Sequence, residues 1–191
     1  ADIAHELRSP LTVINGYLEA LQDGTLEASP ERLEIIQQEV NQLNRLVNDL
    51  RILALADAGK LEILKDDIDI DSLFNHLKDA YNLIANAKQI SLRFQKDNSL
   101  RTIYADEGRI LQVFSNLLTN AIRHTEQDGV VTVHARTDKD NIIIEVSDTG
   151  EGIPEEELDQ VFKRFYRSDP SRHTINGESG LGLSIVKTIV E

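Results

Sequence analysis

The feature that most constrains the fold is a change in hydrophobic periodicity near residue 57. Before it, two stretches repeat apolar residues at steps of three and four, which is the spacing of one face of an α-helix. The first stripe is Ile3, Leu7, Leu11, Ile14, Leu18 and Leu21, and the second is Leu33, Ile36, Val40, Leu43, Val47 and Leu50, widened by Leu46 and Leu53. After it, helix and strand periods alternate. The chain therefore predicts a helical part followed by a mixed α/β part.

Local signals delimit the two helices. Asp23 and Gly24 end the first, and Ser29 and Pro30 supply an N-cap and a first helical residue for the second. The short connection predicts an antiparallel hairpin. Because one hairpin is too thin to bury both stripes, we expect a homodimer in which two hairpins form a four-helix bundle.

The segment Asp57-Ala58-Gly59-Lys60 breaks the helical pattern and marks the predicted domain boundary. We expect a dimerisation domain over residues 1–57 and an α/β domain over residues 58–191, with a hinge near Ala56 to Leu61. The predicted helices of the second domain are 72–86, 106–124, a short one from Pro154 and a last one near Leu183, and its strands lie near 90–94, 131–135 and 141–146.

Composition narrows the function classes. The net charge of −13 argues against a general nucleic-acid binder, which needs clustered cations. The absence of Cys excludes disulfides and thiolate metal sites. No apolar run reaches the roughly 20 residues of a membrane span. Since the sequence begins and ends inside helical patterns, we expect a fragment whose second domain is truncated and whose parent has further segments upstream.

His5 stands out on the first predicted helix, in Ala4-His5-Glu6-Leu7-Arg8-Ser9-Pro10. It lies off the apolar stripe, so its ring is expected to be accessible. A neutral imidazole is nucleophilic near pH 7, and the carboxylate of Glu6 could accept its proton. Pro10 removes one helical hydrogen bond. Taken alone, such a histidine is an ordinary surface residue.

Three further patches suit a nucleotide. Asn116, Asn120 and Arg123 share one face of a helix, where amide oxygens suit Mg²⁺ and the guanidinium suits phosphate. Two glycine-rich segments follow, Asp148-Thr149-Gly150-Glu151-Gly152 after a strand and Gly177 to Ser184 at the start of the last helix. Glycines there permit close approach of the backbone and anion binding. Neither segment is a Walker A loop or a Rossmann fingerprint.

A fourth patch, Phe162-Lys163-Arg164-Phe165-Tyr166-Arg167, lies between the two glycine-rich segments. Its aromatic residues are typical of a core, and its cations could meet triphosphate charge. Taken singly, each of these patches also suits an ordinary helix face, turn or core.

Together, the order and spacing of these segments resemble those of the sensor histidine kinases. The segment around His5 resembles their H-box, and the later patches resemble the N, G1, F and G2 boxes of their ATP-binding domain, which has the Bergerat fold of the gyrase, Hsp90 and MutL ATPases. The resemblance covers essentially the whole chain. It implies a homodimeric protein-histidine kinase of a two-component system that uses ATP and Mg²⁺. It also implies a response-regulator receiver domain as partner and a cytoplasmic position in a protein of the bacterial inner membrane.

The resemblance also assigns roles in the hairpin. It makes His5 the phosphoacceptor and Glu6 the assisting acid or base. Ser9 stands where many such kinases carry Thr or Asn, and its hydroxyl keeps a group that could orient water for dephosphorylating the partner.

The nucleotide-binding roles implied by the resemblance are distributed over the four later boxes. By this resemblance, Asn120 is the principal Mg²⁺ ligand with Asn116 beside it, and Arg123 and His124 line the phosphates and the nucleoside. Asp148 binds adenine, in a pocket that Gly150 and Gly152 shape. The phosphates are held by Gly180, Leu181 and Gly182, and Arg167 is the candidate for contact with the γ-phosphate. The residues from Tyr166 to Ser179 form the lid over ATP.

Two other functions compete with this one. A Bergerat-fold ATPase would need a Glu on the long helix to activate water, and this chain has Asn116 there. A nucleotide-sensing scaffold would need a broken motif. Transfer within one subunit or across the dimer depends on the handedness of the bundle, which the loop from Gly24 to Ala28 sets.

Overall fold

The computed structural model describes residues 3–139, 141–167 and 179–191. Within these ranges the elements are α1 (Ile3–Gln22), α2 (Pro30–Asp57), β1 (Asp66–Asp69), α3 (Ile70–Ala87), β2 (Ser91–Lys96), β3 (Thr102–Ala105), α4 (Glu107–His124), β4 (Val130–Asp138), β5 (Asn141–Asp148), a 3₁₀ turn (Glu155–Glu157) and α5 (Gly182–Val190). They form two compact units, each described by itself. Of the described residues, the hairpin unit comprises 3–61 with 159–167 and 179–188, and the sheet unit comprises 62–139 and 141–158 with 189–191.

Helices α1 and α2 pack as the hairpin that the two stripes predicted. Gly24 has φ of +78°, a left-handed conformation that suits glycine just after a helix. Ser29 is the N-cap of α2, and its side chain accepts a hydrogen bond from the amide of Arg32 at 3.4 Å. These turn residues set the bounds of the hairpin.

Part of each apolar stripe stays exposed in the single hairpin. Ile14 and Leu46 are buried, whereas Leu11, Leu18, Leu33 and Val47 keep 43–54% of their surface exposed. Several large apolar side chains exposed along one pair of helices mark a surface that another chain can cover.

Helix α2 ends in a Schellman motif at the predicted break. Gly59 has φ of +65°, and its amide donates to the carbonyl of Ala56 at 2.9 Å. The amide of Lys60 donates to the carbonyl of Leu55 at 2.8 Å. These bonds satisfy carbonyls that a helix end would otherwise leave unpaired.

The sheet unit contains a three-stranded sheet of order β2-β4-β5, in which β2 and β4 are parallel and β4 and β5 are antiparallel. Helices α3 and α4 pack with this sheet around one core. Val131, Val133 and Ala135, alternate residues of β4, are completely buried. The α/β class predicted from the alternating periods is confirmed.

Two elements of the sheet unit differ from the prediction. Strands β1 and β3 form a separate antiparallel pair that the sequence did not reveal. Each has four residues, and Asp66–Asp69 contains a single apolar residue, Ile68, so no alternation can be read there. The expected short helix after Pro154 is only the 3₁₀ turn Glu155–Glu157.

Both ends of α4 are held by hydrogen bonds to side chains: the N-cap residue at its start, and a lysine that follows α3 at its end. At the start, the carboxylate of Asp106 accepts from the amide of Arg109 at 3.0 Å and from the amide of Leu64 at 2.9 Å. These bonds, the one from Arg109 first, hold the pKa of Asp106 below its ordinary value. At the end, Lys88 Nζ donates to the carbonyls of Ile122 and Arg123 at 3.0 and 2.9 Å. The position of α4 is therefore fixed at its two termini.

None of the helices in the described ranges has both the length and the apolar character needed to cross a membrane.

Replacing Asp106 by Ala leaves the amides of Arg109 and Leu64 without their acceptor, and should lower the free energy of unfolding by about 1 kcal/mol. The depressed pKa in the folded state means that this stabilisation is complete above the unfolded pKa, near 4, and is lost as pH falls through the folded pKa. Urea unfolding at several pH values should therefore give a difference between wild type and Asp106→Ala that is constant near neutrality and shrinks below about pH 4. Asp79→Ala, which removes an exposed carboxylate on α3, is the control and should change stability by less than about 0.5 kcal/mol. A difference for Asp106→Ala that does not depend on pH would contradict this role.

Candidate active site

His5 lies on the exposed side of α1, as its position off the apolar stripe predicted. Leu7 is half-buried, and Pro10 is completely buried. Glu6 and Ser9, which flank the histidine in the predicted motif, are both half-buried. The imidazole is thus accessible on a helix whose other side is packed.

Pro10 does not interrupt α1, which continues to Gln22. A proline nitrogen cannot donate, so the carbonyl of Glu6, four residues earlier, lacks its ordinary helical donor. Two residues further on, the hydroxyl of Thr12 donates to the carbonyl of Arg8 at 2.9 Å. The backbone next to His5 is therefore helical but has one hydrogen bond fewer than a regular helix.

In the sheet unit, α4 presents the predicted amide face. Asn116, Asn120 and Arg123 are half-buried, while Leu118 and Ala121 on the other side are buried. The Nδ2 atom of Asn116 is buried and has no hydrogen-bond partner among the residues that the structure describes. Leaving a buried donor unpaired costs about 1–3 kcal/mol. An acceptor supplied by a ligand, such as a phosphate oxygen, fits this position.

The end of β5 meets the end of α4 through Gly150. A Cβ atom on Gly150 would lie 2.3 Å from the carbonyl oxygen of His124, so no side chain fits between them. The amide of Gly150 donates to Asp148 Oδ1 at 2.9 Å, which holds that carboxylate in a tight turn after the strand. Gly152 has φ of +72°, a conformation that favours glycine. The first glycine-rich segment is therefore shaped by a close backbone approach at Gly150 and by the positive φ of Gly152.

Glu151 adds a contact that the sequence did not predict. Its carboxylate lies 3.0 Å from Nδ1 of His124, which ties the last turn of α4 to the segment after β5. Thr149 reinforces the same junction, because its amide donates to the carbonyl of Val130 at 3.1 Å and its hydroxyl accepts from the amide of Val130 at 3.0 Å. Glu151 occupies the unrestricted position between the two glycines, so its residue type carried no signal.

The second glycine-rich segment belongs to the hairpin unit. Gly180 has φ of +65°, and a Cβ atom there would lie 2.8 Å from the carbonyl carbon of Phe165. The amide of Phe165 donates to the carbonyl of Gly180 at 2.9 Å. Leu181 is completely buried, and Gly182 begins α5. The structure thus brings the predicted phosphate-binding glycines next to the aromatic and basic segment that ends at the half-buried Arg167.

Most of the predicted lid, Tyr166 to Ser179, lies outside the described residues, since these end at 167 and resume at 179.

Arg164, which the sequence grouped with cations for a triphosphate, is paired with a carboxylate instead. Its two terminal nitrogens donate to the two oxygens of Asp57 at 2.8 and 2.6 Å. This bidentate hydrogen bonding lowers the pKa of Asp57 and raises that of Arg164 relative to their ordinary values. Nothing in the local sequence pairs two residues so distant along the chain.

No cluster of three or more His, Cys, Asp or Glu residues in the described part of the chain is arranged to hold a metal ion. Mg²⁺ also accepts amide oxygens together with phosphate oxygens of a nucleotide, a donor set to which Asn116 and Asn120 could contribute.

Two known families match the chain, one in its N-terminal part and one in its C-terminal part. Residues 1–59 match the His Kinase A phospho-acceptor domain, and residues 105–191 match the family of histidine kinase-, DNA gyrase B- and HSP90-like ATPases. The first range contains His5, and the second contains every residue predicted to bind the nucleotide. The chain belongs to the sensor histidine kinases. The helical hairpin and the α/β domain expected from the resemblance are both confirmed.

Individual sensor kinases resemble the chain over its full length. The signal transduction histidine-protein kinase BaeS of Escherichia coli is 37% identical over 191 residues, which are 100% of this chain and 41% of BaeS. The chain thus spans less than half the length of that relative.

Two solved structures agree with the fold. The histidine kinase AdeS of Acinetobacter baumannii superposes with a TM-score of 0.80 and 27% identity over 97% of this chain and 85% of AdeS. Full-length ShkA, solved in complex with AMPPNP, superposes with a TM-score of 0.71 and 28% identity over 97% of this chain and 38% of ShkA.

The close approach at Gly150 makes a direct prediction. Gly150→Ala forces the α4–β5 junction apart, because its methyl group would overlap the carbonyl of His124, and we expect a loss of about 1–3 kcal/mol in unfolding free energy. Thermal unfolding and titration with a fluorescent ATP analogue should both show the defect. Gly108→Ala is the matched control, since a Cβ atom there meets only ordinary contact distances and alanine favours the helix. Equal stability and nucleotide affinity of the two variants would show that the junction does not shape the site.

Proposed function

We propose that the chain is an ATP-dependent protein-histidine kinase that phosphorylates its own His5 and passes the phosphoryl group to an Asp of a response-regulator receiver domain. The observation that carries this proposal is the presence, in one chain, of an accessible histidine on a phospho-acceptor hairpin and an α4–β5 junction of the nucleotide-binding family.

The sheet unit would supply the adenosine and metal contacts. The carboxylate of Asp148 would accept from the adenine amino group, and Gly150 and Gly152 would let the base approach the backbone. Asn120 would be the principal Mg²⁺ ligand, with Asn116 beside it. The buried Nδ2 atom of Asn116, which has no partner among the described residues, supports a polar ligand at this face. When bound, Mg²⁺ would offset the charge of the triphosphate.

The remaining phosphate contacts would come from cations and backbone amides. Arg123 and His124, at the end of α4, would face the phosphates and the nucleoside. Gly180, Leu181 and Gly182 would bind phosphate oxygens at the start of α5, where backbone N–H groups and the helix dipole favour anions. Arg167 would approach the γ-phosphate. That ShkA was solved with AMPPNP supports the use of ATP by this chain.

In the transfer step, a nitrogen of the neutral His5 imidazole would attack the γ-phosphorus. A nitrogen–phosphorus bond forms, the bond from phosphorus to the β,γ-bridging oxygen breaks, and ADP leaves. Glu6 would accept the proton from the other ring nitrogen and so keep positive charge from accumulating on the ring. The exposure of His5 supports this role, since the nitrogen must be reached by both ATP and a receiver Asp.

Ser9 would give the same face a second activity. Its hydroxyl, one helical turn after His5, would orient a water molecule towards the phosphorylated Asp of the docked receiver domain. Phosphatase activity towards the partner would then use the same docking surface as phosphotransfer.

The functional unit would be a homodimer. The exposed apolar residues of the hairpin, Leu11, Leu18, Leu33 and Val47, support burial against a second copy in a four-helix bundle. We retain the domain limits 1–57 and 58–191 as part of the proposal, with the hinge from Ala56 to Leu61 allowing ATP to reach His5. From the family alone, we place this segment on the cytoplasmic side of a bacterial inner-membrane protein.

The phosphoacceptor is tested by incubation with γ-labelled ATP and Mg²⁺. The label should be acid-labile and alkali-stable, as expected for phosphohistidine, and His5→Gln should lose it entirely because the nucleophile is removed. His76→Gln, which replaces another exposed histidine, should be labelled like the wild type. Full labelling of His5→Gln would overturn the assignment.

The metal site is tested at Asn120. Asn120→Ala removes the proposed amide ligand, and Mg²⁺-ATP should bind at least about tenfold more weakly, equivalent to about 1.4 kcal/mol. Isothermal titration with and without Mg²⁺ separates metal-dependent from metal-independent binding. Thr119→Ala, which changes the exposed neighbour on the same helix, serves as the control. An unchanged Mg²⁺ dependence in Asn120→Ala would contradict the assignment.

A further inference from the structure

The pair of Asp57 and Arg164 joins two distant parts of the hairpin unit. Asp57 is the last residue of α2, and its two oxygens accept from both terminal nitrogens of Arg164 at 2.6 and 2.8 Å. The side chains remain 57% and 44% exposed, respectively. A bidentate arginine–carboxylate pair has well-defined geometry, but a pair so accessible to water contributes little to stability and breaks readily.

Arg164 is connected to both ends of the predicted lid. The next residue, Phe165, has φ of +60° and donates its amide to the carbonyl of Gly180. Gly180 lies so close to Phe165 that a Cβ atom would not fit, and Gly182, two residues later, begins α5. Whatever holds Arg164 therefore also restrains the segment that carries Arg167 and the start of the phosphate-binding glycines.

Asp57 lies well beyond His5 along the hairpin. In an antiparallel hairpin, residues equally far along the chain from the middle of the loop lie at the same level. With that middle near residue 26, His5 lies at the level of Val47. Asp57 is ten residues further along α2, about 15 Å at the ordinary helical rise. The Schellman motif at Gly59 follows directly, within the predicted hinge. The ion pair thus holds the segment that carries Arg167 against the predicted hinge, further along α2 than the level of His5.

We propose that the Asp57–Arg164 ion pair is a latch that holds the segment carrying Arg167 at the end of α2 and must open before the γ-phosphate reaches His5. This inference rests on the proposed kinase function. It assigns to Arg164 a positioning role in place of a contact with the triphosphate. Because the pair is exposed, added salt weakens it, and a small bias from the hinge is enough to open or close it.

Charge variants test the latch through the rate of His5 phosphorylation. Asp57→Asn and Arg164→Gln each remove one charge and should raise the rate at saturating ATP about two- to five-fold, the range expected for an exposed ion pair. The KM for ATP should not change, because neither residue contacts the nucleotide. The exchange Asp57→Arg with Arg164→Asp rebuilds the pair and should return the rate towards that of the wild type. Single variants that are slower than the wild type or unchanged would overturn the proposal.

Cross-linking tests the same contact without relying on its strength. The chain contains no cysteine, so Asp57→Cys combined with Arg164→Cys introduces the only two thiols. A short bifunctional methanethiosulfonate should join them within one chain, block phosphorylation of His5 while ATP still binds, and release the block on reduction. The single-cysteine variants treated in the same way should remain active. Failure to cross-link, or full phosphorylation of the cross-linked chain, would overturn the latch.

The proposed kinase function and the latch would be overturned by different results. Absence of phosphohistidine in the unmodified chain would overturn the proposed function, and the yield of the cross-link would still decide whether the contact exists. Phosphohistidine in the unmodified chain, together with an active cross-linked chain, would overturn the latch alone.

Discussion

The contact between the backbone of Gly150 and the carbonyl of His124 is the constraint on which the candidate nucleotide site depends. It can form only without a side chain at residue 150, and it brings the end of β5 against the last turn of α4. The bonds from Lys88 to the final carbonyls of α4 and the cap at Asp106 hold the helix in the matching position. The amide face of α4 is therefore presented by a rigid framework, which is what a metal and phosphate site requires.

The proposed phosphoacceptor and the proposed nucleotide-binding residues are organised by different physical means. The sheet unit positions its residues through buried strands and capped helix ends. His5, in contrast, is accessible on a helix of the hairpin unit, whose apolar residues are only partly covered. The role proposed for His5 requires it to meet both ATP and a receiver domain, so it cannot be enclosed permanently. Weak, exposed contacts such as that of Arg164 with Asp57 suit the proposed kinase, which would change conformation between these encounters.

Much of the fold could be predicted because its signals are local. Stripes of period three and four predicted the hairpin, and turn residues such as Ser29 and Gly59 predicted the helix ends. The strand pair β1–β3 could not be predicted, because each strand has only four residues and β1 contains a single apolar one, too little for an alternation to be read. Contacts made by Glu151 and Arg164 also escaped prediction, since residue type does not identify a partner brought close only by tertiary folding. The roles of the candidate residues came from the order of the motifs, which no single motif reveals.

The most direct test of the central claim is to locate the phosphoryl group in the wild-type chain by tandem mass spectrometry at neutral or alkaline pH after reaction with Mg²⁺-ATP. The chain offers five histidines, of which only His5 lies in the phospho-acceptor hairpin. The proposed autophosphorylation gives a single modified residue, His5. A phosphoryl group on His76, His124, His134 or His173 in its place, or on none of the five, would contradict it.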